Sequence, residues 1–227
     1  QTEPQYVIDV LRMSAMTTLS RVKRAASEVV RFGKEPKMGG FIYPLMQCED
    51  VVALGADVAF GGIDQRMIYA MGRELLPELG YKKPLSVFSP LLPSFSGGRM
   101  GGKMSASEDK GKIGLLDEEN VVNKKVNSAY CPEGIIKENG VMAFVEYIIF
   151  PLKYDQGKKL KIERNTKFGG DIEYTSYKEL EKDFVKKELH PADLKKVVSR
   201  EINILLEPIR KNFSKKKDLL KEAYPEK

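Results

Sequence analysis

The stretch Gly101-Gly102-Lys103-Met104-Ser105-Ala106-Ser107-Glu108-Asp109-Lys110 has almost nothing to bury and several groups suited to an anion. Glycines let a backbone approach a ligand closely, serine hydroxyls and main-chain N–H groups donate hydrogen bonds, and an ammonium on a flexible stem adds a movable charge. Phosphates accept all three. If Lys103 tightens on a triphosphate as charge moves onto departing pyrophosphate, it acts on the transition state and not merely on binding. A solvated loop joining two domains accounts for the same composition.

Tyr43, Gln47 and Asp50 fall at i, i+4 and i+7, on one face of a helix. Such a stripe either faces water or converges on a ligand, and spacing alone leaves both open. Residues 56–62, Ala-Asp-Val-Ala-Phe-Gly-Gly, form a short apolar run closed by glycines, as a buried strand should be. Asp57 and the Gly61-Gly62 pair are expected at the carboxyl edge of a parallel sheet, where α/β folds bind nucleotides. A tight strand-to-helix turn would need the same glycines.

His190 is the one histidine of the chain, with no serine or cysteine arrangement beside it, so it is not read as catalytic. Pro191 opens a helix and Asp193 falls in its first turn, where the helix dipole favours a carboxylate. Capping explains Asp193 without a ligand. Cys48 and Cys131 lie far apart and make neither a disulfide framework nor a metal pattern, so no metal site is expected.

These groups need elements to hold them. Leu11, Ala15, Leu19, Val22, Ala26 and Val29 recur every three to four positions and predict one long amphipathic helix from Tyr6 to Phe32. A Gly39-Gly40 turn precedes a helix expected to start near Pro44 and end near Gly55. A further helix over 65–79 leads to a second apolar run, Leu85 to Phe88. Helices alternating with short strands indicate a parallel α/β sheet. Beyond Asp117, helices are expected at 119–129, 139–150, 177–188 and 191–212, with a polar hairpin across Lys158 to Ser176. The expected domains are residues 1–117 and 118–227, the last residues loosely held.

The chain has 227 residues, 42% hydrophobic and 31% charged, enough for one or two globular domains. A net charge of +6 suits a polyanionic partner without proving one. No apolar run approaches a membrane span and the start lacks the order of a secretory signal, so a cytoplasmic protein with no membrane partner is expected. The first residue is glutamine, which hints at a processed, excised or partial chain.

Lys103-Met104-Ser105-Ala106-Ser107 resembles the KMSKS-type signature of class I aminoacyl-tRNA synthetases. Residues 43–50 and 57–66 are similar to the tyrosine-binding helix and following strand of archaeal and eukaryotic tyrosyl-tRNA synthetases. Tyr130-Cys131-Pro132-Glu133-Gly134, Phe168-Gly169-Gly170-Asp171 and His190-Pro191-Ala192-Asp193-Leu194-Lys195 match the same family's anticodon-binding domain, in order. The resemblance implies the second half of a Rossmann-like parallel-sheet catalytic domain followed by a mainly helical anticodon-binding domain.

It also implies roles. Tyr43, Gln47 and Gln65 would hold the ammonium and carboxylate of L-tyrosine, and Asp50 would accept from its phenol. Asp57, Gly61, Gly62, Lys103 and Met104 would bind ATP, accompanied by Mg2+, with Lys103, Ser105 and Ser107 acting in catalysis. Arg66 would lie near the acceptor end of tRNA(Tyr), and Phe168, His190, Pro191 and Asp193 would read an anticodon base. The family is dimeric, and the first helix is a candidate interface.

The HIGH-type motif of class I enzymes is missing, so the resemblance implies a carboxyl-terminal portion, inactive without a chain carrying the other half. Ala106 departs from the serine many relatives carry, and related tryptophan enzymes also show KMSAS. Tryptophanyl-tRNA synthetase is therefore one alternative, and a non-catalytic tRNA-binding or signalling fragment is another.

Overall fold

The structure, a computed structural model, describes residues 3–97 and 111–223, the side chains of residues 217, 220 and 221 excepted. It divides into two compact units, residues 1–91 and 92–227.

The first unit opens with α1 (Pro4–Met16) and α2 (Leu19–Ala25). The expected long helix breaks between them. Thr17 is extended, and the Thr18 hydroxyl accepts from the Arg21 N–H at 3.3 Å, capping a new helix. The break turns a different face inward: Tyr6, Val10 and Met13 are buried, whereas Leu11 and Leu19 are exposed.

Helix α3 (Gly39–Ala53) starts five residues before Pro44. Two glycines in a first turn cost roughly 1 kcal/mol each, and burial of Phe41 on the core offsets this. Strand β1 (Val58–Gly62) passes through a 3-10 turn (Ile63–Gln65) into α4 (Arg66–Glu78), then β2 (Leu85–Ser89). The strands pair in parallel, Val58 opposite Leu85 through Gly62 opposite Ser89. Helices α3 and α4 touch where Gly72 faces Cys48; a Cβ there would sit 3.0 Å from Sγ.

The strand expected to be buried is covered on one face only. Ala59 is buried and Phe88 contacts Tyr69 of α4, while Val58, Leu85 and Val87 are exposed and Phe60 is 72% exposed. Alternation along a strand sends successive side chains to opposite faces, and in this unit only one face carries helices.

The second unit contains α5 (Glu119–Ser128), a helical run α6 (Gly140–Phe144) and α7 (Phe150–Asp155) joined by a wider π turn, the antiparallel pair β3 (Leu160–Ile162) and β4 (Ile172–Tyr174), α8 (Tyr177–Val185), α9 (Pro191–Phe213) and α10 (Lys217–Ala223). Pro151 has no N–H for the carbonyl one turn back, which fits the local widening. Asn139 caps α6 by accepting from Val141 and Met142 N–H groups, both at 3.1 Å. The core gathers Val122, Met142, Ile149, Leu160, Leu180, Phe184, Leu194 and Ile202.

The units part at Leu91, ahead of the boundary expected near Asp117. Phe95 is the reason: it is buried in the second core, its N–H donates to the Gly111 carbonyl at 3.0 Å, and its carbonyl accepts from Tyr130 at 2.7 Å. Among the described residues, no helix is long and apolar enough to cross a membrane.

Candidate functional site

In the first unit, α3 presents Tyr43, Gln47 and Asp50 along one face, and the 3-10 turn after β1 brings Gln65 against them. Gln47 Nε2 donates to Gln65 Oε1 at 3.0 Å, and Gln47 Oε1 is buried with no partner among the described residues. An orphaned buried acceptor costs about 1–3 kcal/mol, and a donor on a bound ligand could satisfy it.

The Tyr43 phenol is pushed up, first by burial and then by the nearby charges of Tyr69, Asp50 and Asp64. Asp64 is itself buried. Its position fixes Gly62, where a Cβ would meet Asp64 Oδ1 at 2.6 Å. The cluster is rich in acceptors and carries two carboxyl groups. It suits an ammonium at one end and a hydroxyl donor at the other. Cys48 offers no nucleophile there: burial pushes its thiol up to about 12, and its Sγ lies 3.4 Å from the Ile68 carbonyl.

Asp57 does not join this group. It precedes β1 at the amino end, where its carbonyl accepts from the Leu85 N–H at 3.2 Å. Gly61 and Gly62 lie at the carboxyl end, roughly 16 Å away at the rise of a strand. The aspartate and the glycines, expected at one edge, therefore lie at opposite ends of β1. Lys103, Met104, Ser105 and Ser107 lie outside the described residues, and Arg66 is exposed at the first residue of α4.

Sequence reasoning missed Tyr6. Its phenol donates toward Asp50 Oδ1 at 2.8 Å and lies 3.0 Å from the Met46 carbonyl. Nothing in the periodicity of α1 could reveal a partner 44 positions away. Also missed was Glu49, 2% exposed, whose Oε2 has no partner among the described residues. Burial, then the charges of Asp9 and Asp50, push its carboxyl up to about 7. Asp9 behaves oppositely: burial works against its charge, but hydrogen bonds from Tyr81 and Gln5 hold it low.

The second unit has its own polar surface at the start of α9. His190 Nδ1 accepts from the Ala192 N–H at 3.1 Å, so the histidine caps the helix that Pro191 opens, and Asp193 follows in the first turn. Asp193 lines one part of a groove of ≈ 680 Å³ between α5 and α9, with Asn123, Asn127, Lys196 and Arg200. Phe168 ends a 3-10 turn and is 71% exposed. Gly169 and Gly170 follow at φ +95 and +75, a conformation that favours glycine.

Arg164, absent from the sequence expectations, fastens the Phe168 loop to the turn before α9. Its Nε donates to the Gly170 carbonyl and its Nη1 to the Glu188 carbonyl, both at 3.0 Å. An exposed ring held beside a helix start that carries a carboxylate suits an unstacked nucleic-acid base.

A family model described as tRNA synthetases class I (W and Y) matches residues 2–207. The chain is 48% identical over 227 residues to a tyrosine–tRNA ligase of Haloarcula marismortui, covering 100% of this chain and 64% of that protein. Among solved structures, tyrosyl-tRNA synthetase of Archaeoglobus fulgidus complexed with L-tyrosine superposes with a TM-score of 0.81 at 43% identity, covering 93% of this chain and 63% of its own. The corresponding Pyrococcus horikoshii structure gives 0.86 at 31% identity, covering 96% and 65%. The chain thus spans somewhat less than two thirds of the length of these relatives.

Proposed function

The chain belongs to the class I tRNA synthetases (W and Y), and from that premise we propose that it is part of a tyrosyl-tRNA synthetase of the archaeal and eukaryotic type. The complete enzyme joins the tyrosine carboxylate to the α-phosphate of ATP, releases pyrophosphate, and passes the tyrosyl group to the terminal ribose hydroxyl of tRNA(Tyr). The observation that carries the choice of substrate is the buried Gln47 Oε1 beside Gln65, without a partner among the described residues, on the face shared by Tyr43 and Asp50.

In this reading Tyr43, Gln47 and Gln65 hold the ammonium and carboxylate end, and Asp50 accepts from the phenol hydroxyl. Phenylalanine would leave that acceptor unpaired. Tryptophan would present an indole N–H on a longer ring system; the names of the relatives above favour tyrosine. Gly61 and Gly62 let the nucleotide approach the carboxyl edge of the sheet. Lys103, with Met104, Ser105 and Ser107, stabilises charge on the leaving pyrophosphate, and Mg2+ travels with ATP.

Phe168, His190 and Pro191 pack on an unstacked anticodon base that Asp193 reads through its donor edge, and Arg66 serves the acceptor end. The exposed apolar face of α1, Val7, Ile8 and Leu11, supports a homodimer. The open sheet face of Val58, Phe60, Leu85 and Val87 supports cover by further polypeptide, which would bring the HIGH-type element. On this proposal the chain alone forms tyrosyl-adenylate poorly. A cytoplasmic setting completes the proposal, supported by two free, buried cysteines.

Tyrosine-dependent exchange of pyrophosphate into ATP tests the reading, run on this chain alone and again with the HIGH-bearing region supplied, with tryptophan as control. Exchange that appears only in the second case and only with tyrosine supports it. Exchange with tryptophan overturns the substrate, and tRNA binding without exchange in either case supports a non-catalytic role.

A further inference from the structure

We propose that Tyr6 is a positioning residue: its phenol holds the Asp50 carboxylate in the orientation that lets Asp50 discriminate a substrate phenol from an unsubstituted ring. The proposal rests on the tyrosine reading above and adds a residue to it.

Helix α3 places two carboxyl groups side by side, Glu49 and Asp50, and the neighbouring elements treat them differently. Glu49 is buried near Asp9, with one oxygen lacking a donor among the described residues, and its carboxyl is pushed up to about 7. Asp50 is given a donor. The Tyr6 ring is 5% exposed and packs in the core formed by Val10, Met13, Leu45 and Cys48, which fixes the direction of its hydroxyl. That hydroxyl reaches Asp50 Oδ1 at 2.8 Å and the Met46 carbonyl, one turn earlier on the same helix, at 3.0 Å.

A hydroxyl carries one proton, and the charged, nearer oxygen is the stronger acceptor. With Oδ1 engaged from α1, the carboxylate cannot swing freely about its side-chain torsion, and it still has lone pairs to accept a second hydroxyl. A carboxylate that must pick one donor out of a pocket discriminates only if it is already aimed. If it could turn to water or to a backbone N–H when phenylalanine binds, the cost of an unpaired acceptor would vanish, and selectivity with it. Tyr6 removes that escape.

Tyr6→Phe keeps the ring and deletes only the hydroxyl. In the complete enzyme, pyrophosphate exchange with tyrosine and with phenylalanine is measured, together with the unfolding midpoint. Expected is a loss of about ten-fold in selectivity for tyrosine over phenylalanine, as kcat/KM falls for tyrosine, mainly through KM, and holds or rises for phenylalanine, with the midpoint little altered. The same change in an Asp50→Asn background should do nothing further, because the effect runs through Asp50.

Equal losses for both amino acids, unchanged selectivity, or an effect that persists without the Asp50 carboxylate overturns the proposal while leaving the tyrosine reading intact. A wild-type enzyme that does not select tyrosine sinks both.

Discussion

Gln47 donates from Nε2 to Gln65 Oε1 at 3.0 Å across 18 positions of sequence, and its own Oε1 stays buried without a partner among the described residues. The bond fixes which way the amide faces, because a reversed Gln47 would set two oxygens against each other. The free acceptor is therefore aimed by Gln65.

Gln47→Ala in the complete enzyme should raise KM for tyrosine by roughly 10- to 100-fold, the range of a charge-assisted hydrogen bond, with a smaller change in kcat. Pyrophosphate exchange at varied tyrosine checks this. A fall in kcat at constant KM would mean that the amide acts on the transition state.

Lys103→Ala should show the reverse split. If the ammonium meets charge that develops on departing pyrophosphate, the activation rate falls by roughly 10²- to 10³-fold while tyrosine binding barely changes. Pre-steady-state adenylate formation and equilibrium tyrosine binding separate the two, and equal losses would reduce Lys103 to a binding group.

Asp193→Ala should weaken aminoacylation of tRNA while pyrophosphate exchange continues almost unchanged. Arg164→Ala should do the same through KM for tRNA, by about ten-fold, since two of its carbonyl contacts hold the Phe168 loop to the turn before α9. If exchange collapses in either variant, the residue holds up the fold and not the RNA surface.

Glu49 makes stability depend on pH with a definite sign. Its carboxyl is raised from 4.5 to about 7, so the folded protein binds this proton more tightly than the unfolded chain does. Its contribution is complete below the unfolded value and is lost as pH rises through about 7. Glu49→Gln, which cannot ionise, should match the wild type near pH 4 and exceed it by up to about 3 kcal/mol near pH 8. Urea unfolding at the two pH values checks this; a variant less stable at both would show that the carboxylate has a partner.

Local pattern made much of the fold legible. Helices α5, α8 and α9 follow from apolar spacing and from caps that carry their own chemistry, Ser176 accepting from Glu179 and Pro191 opening α9. The hairpin of β3 and β4 falls within the expected span. The long first helix failed because Thr17 and Thr18 read as tolerable helix residues, while the Thr18 hydroxyl in fact starts a new helix. The buried strand failed because four apolar side chains in seven residues do not say how many faces of a sheet are covered.

For the candidate site, spacing put Tyr43, Gln47 and Asp50 on one face of α3, and residue types suggested an anion at Lys103. The motif order carried the family resemblance. Only tertiary structure could decide that Gln65 aims Gln47, that Tyr6 reaches Asp50, that Arg164 ties two loops, and that Asp57 lies at the opposite end of β1 from Gly62. Periodicity encodes which face of an element is apolar over a few residues. Hydrogen bonds between residues 18 and 44 positions apart are set by how helices pack on one another, and no local pattern contains that information.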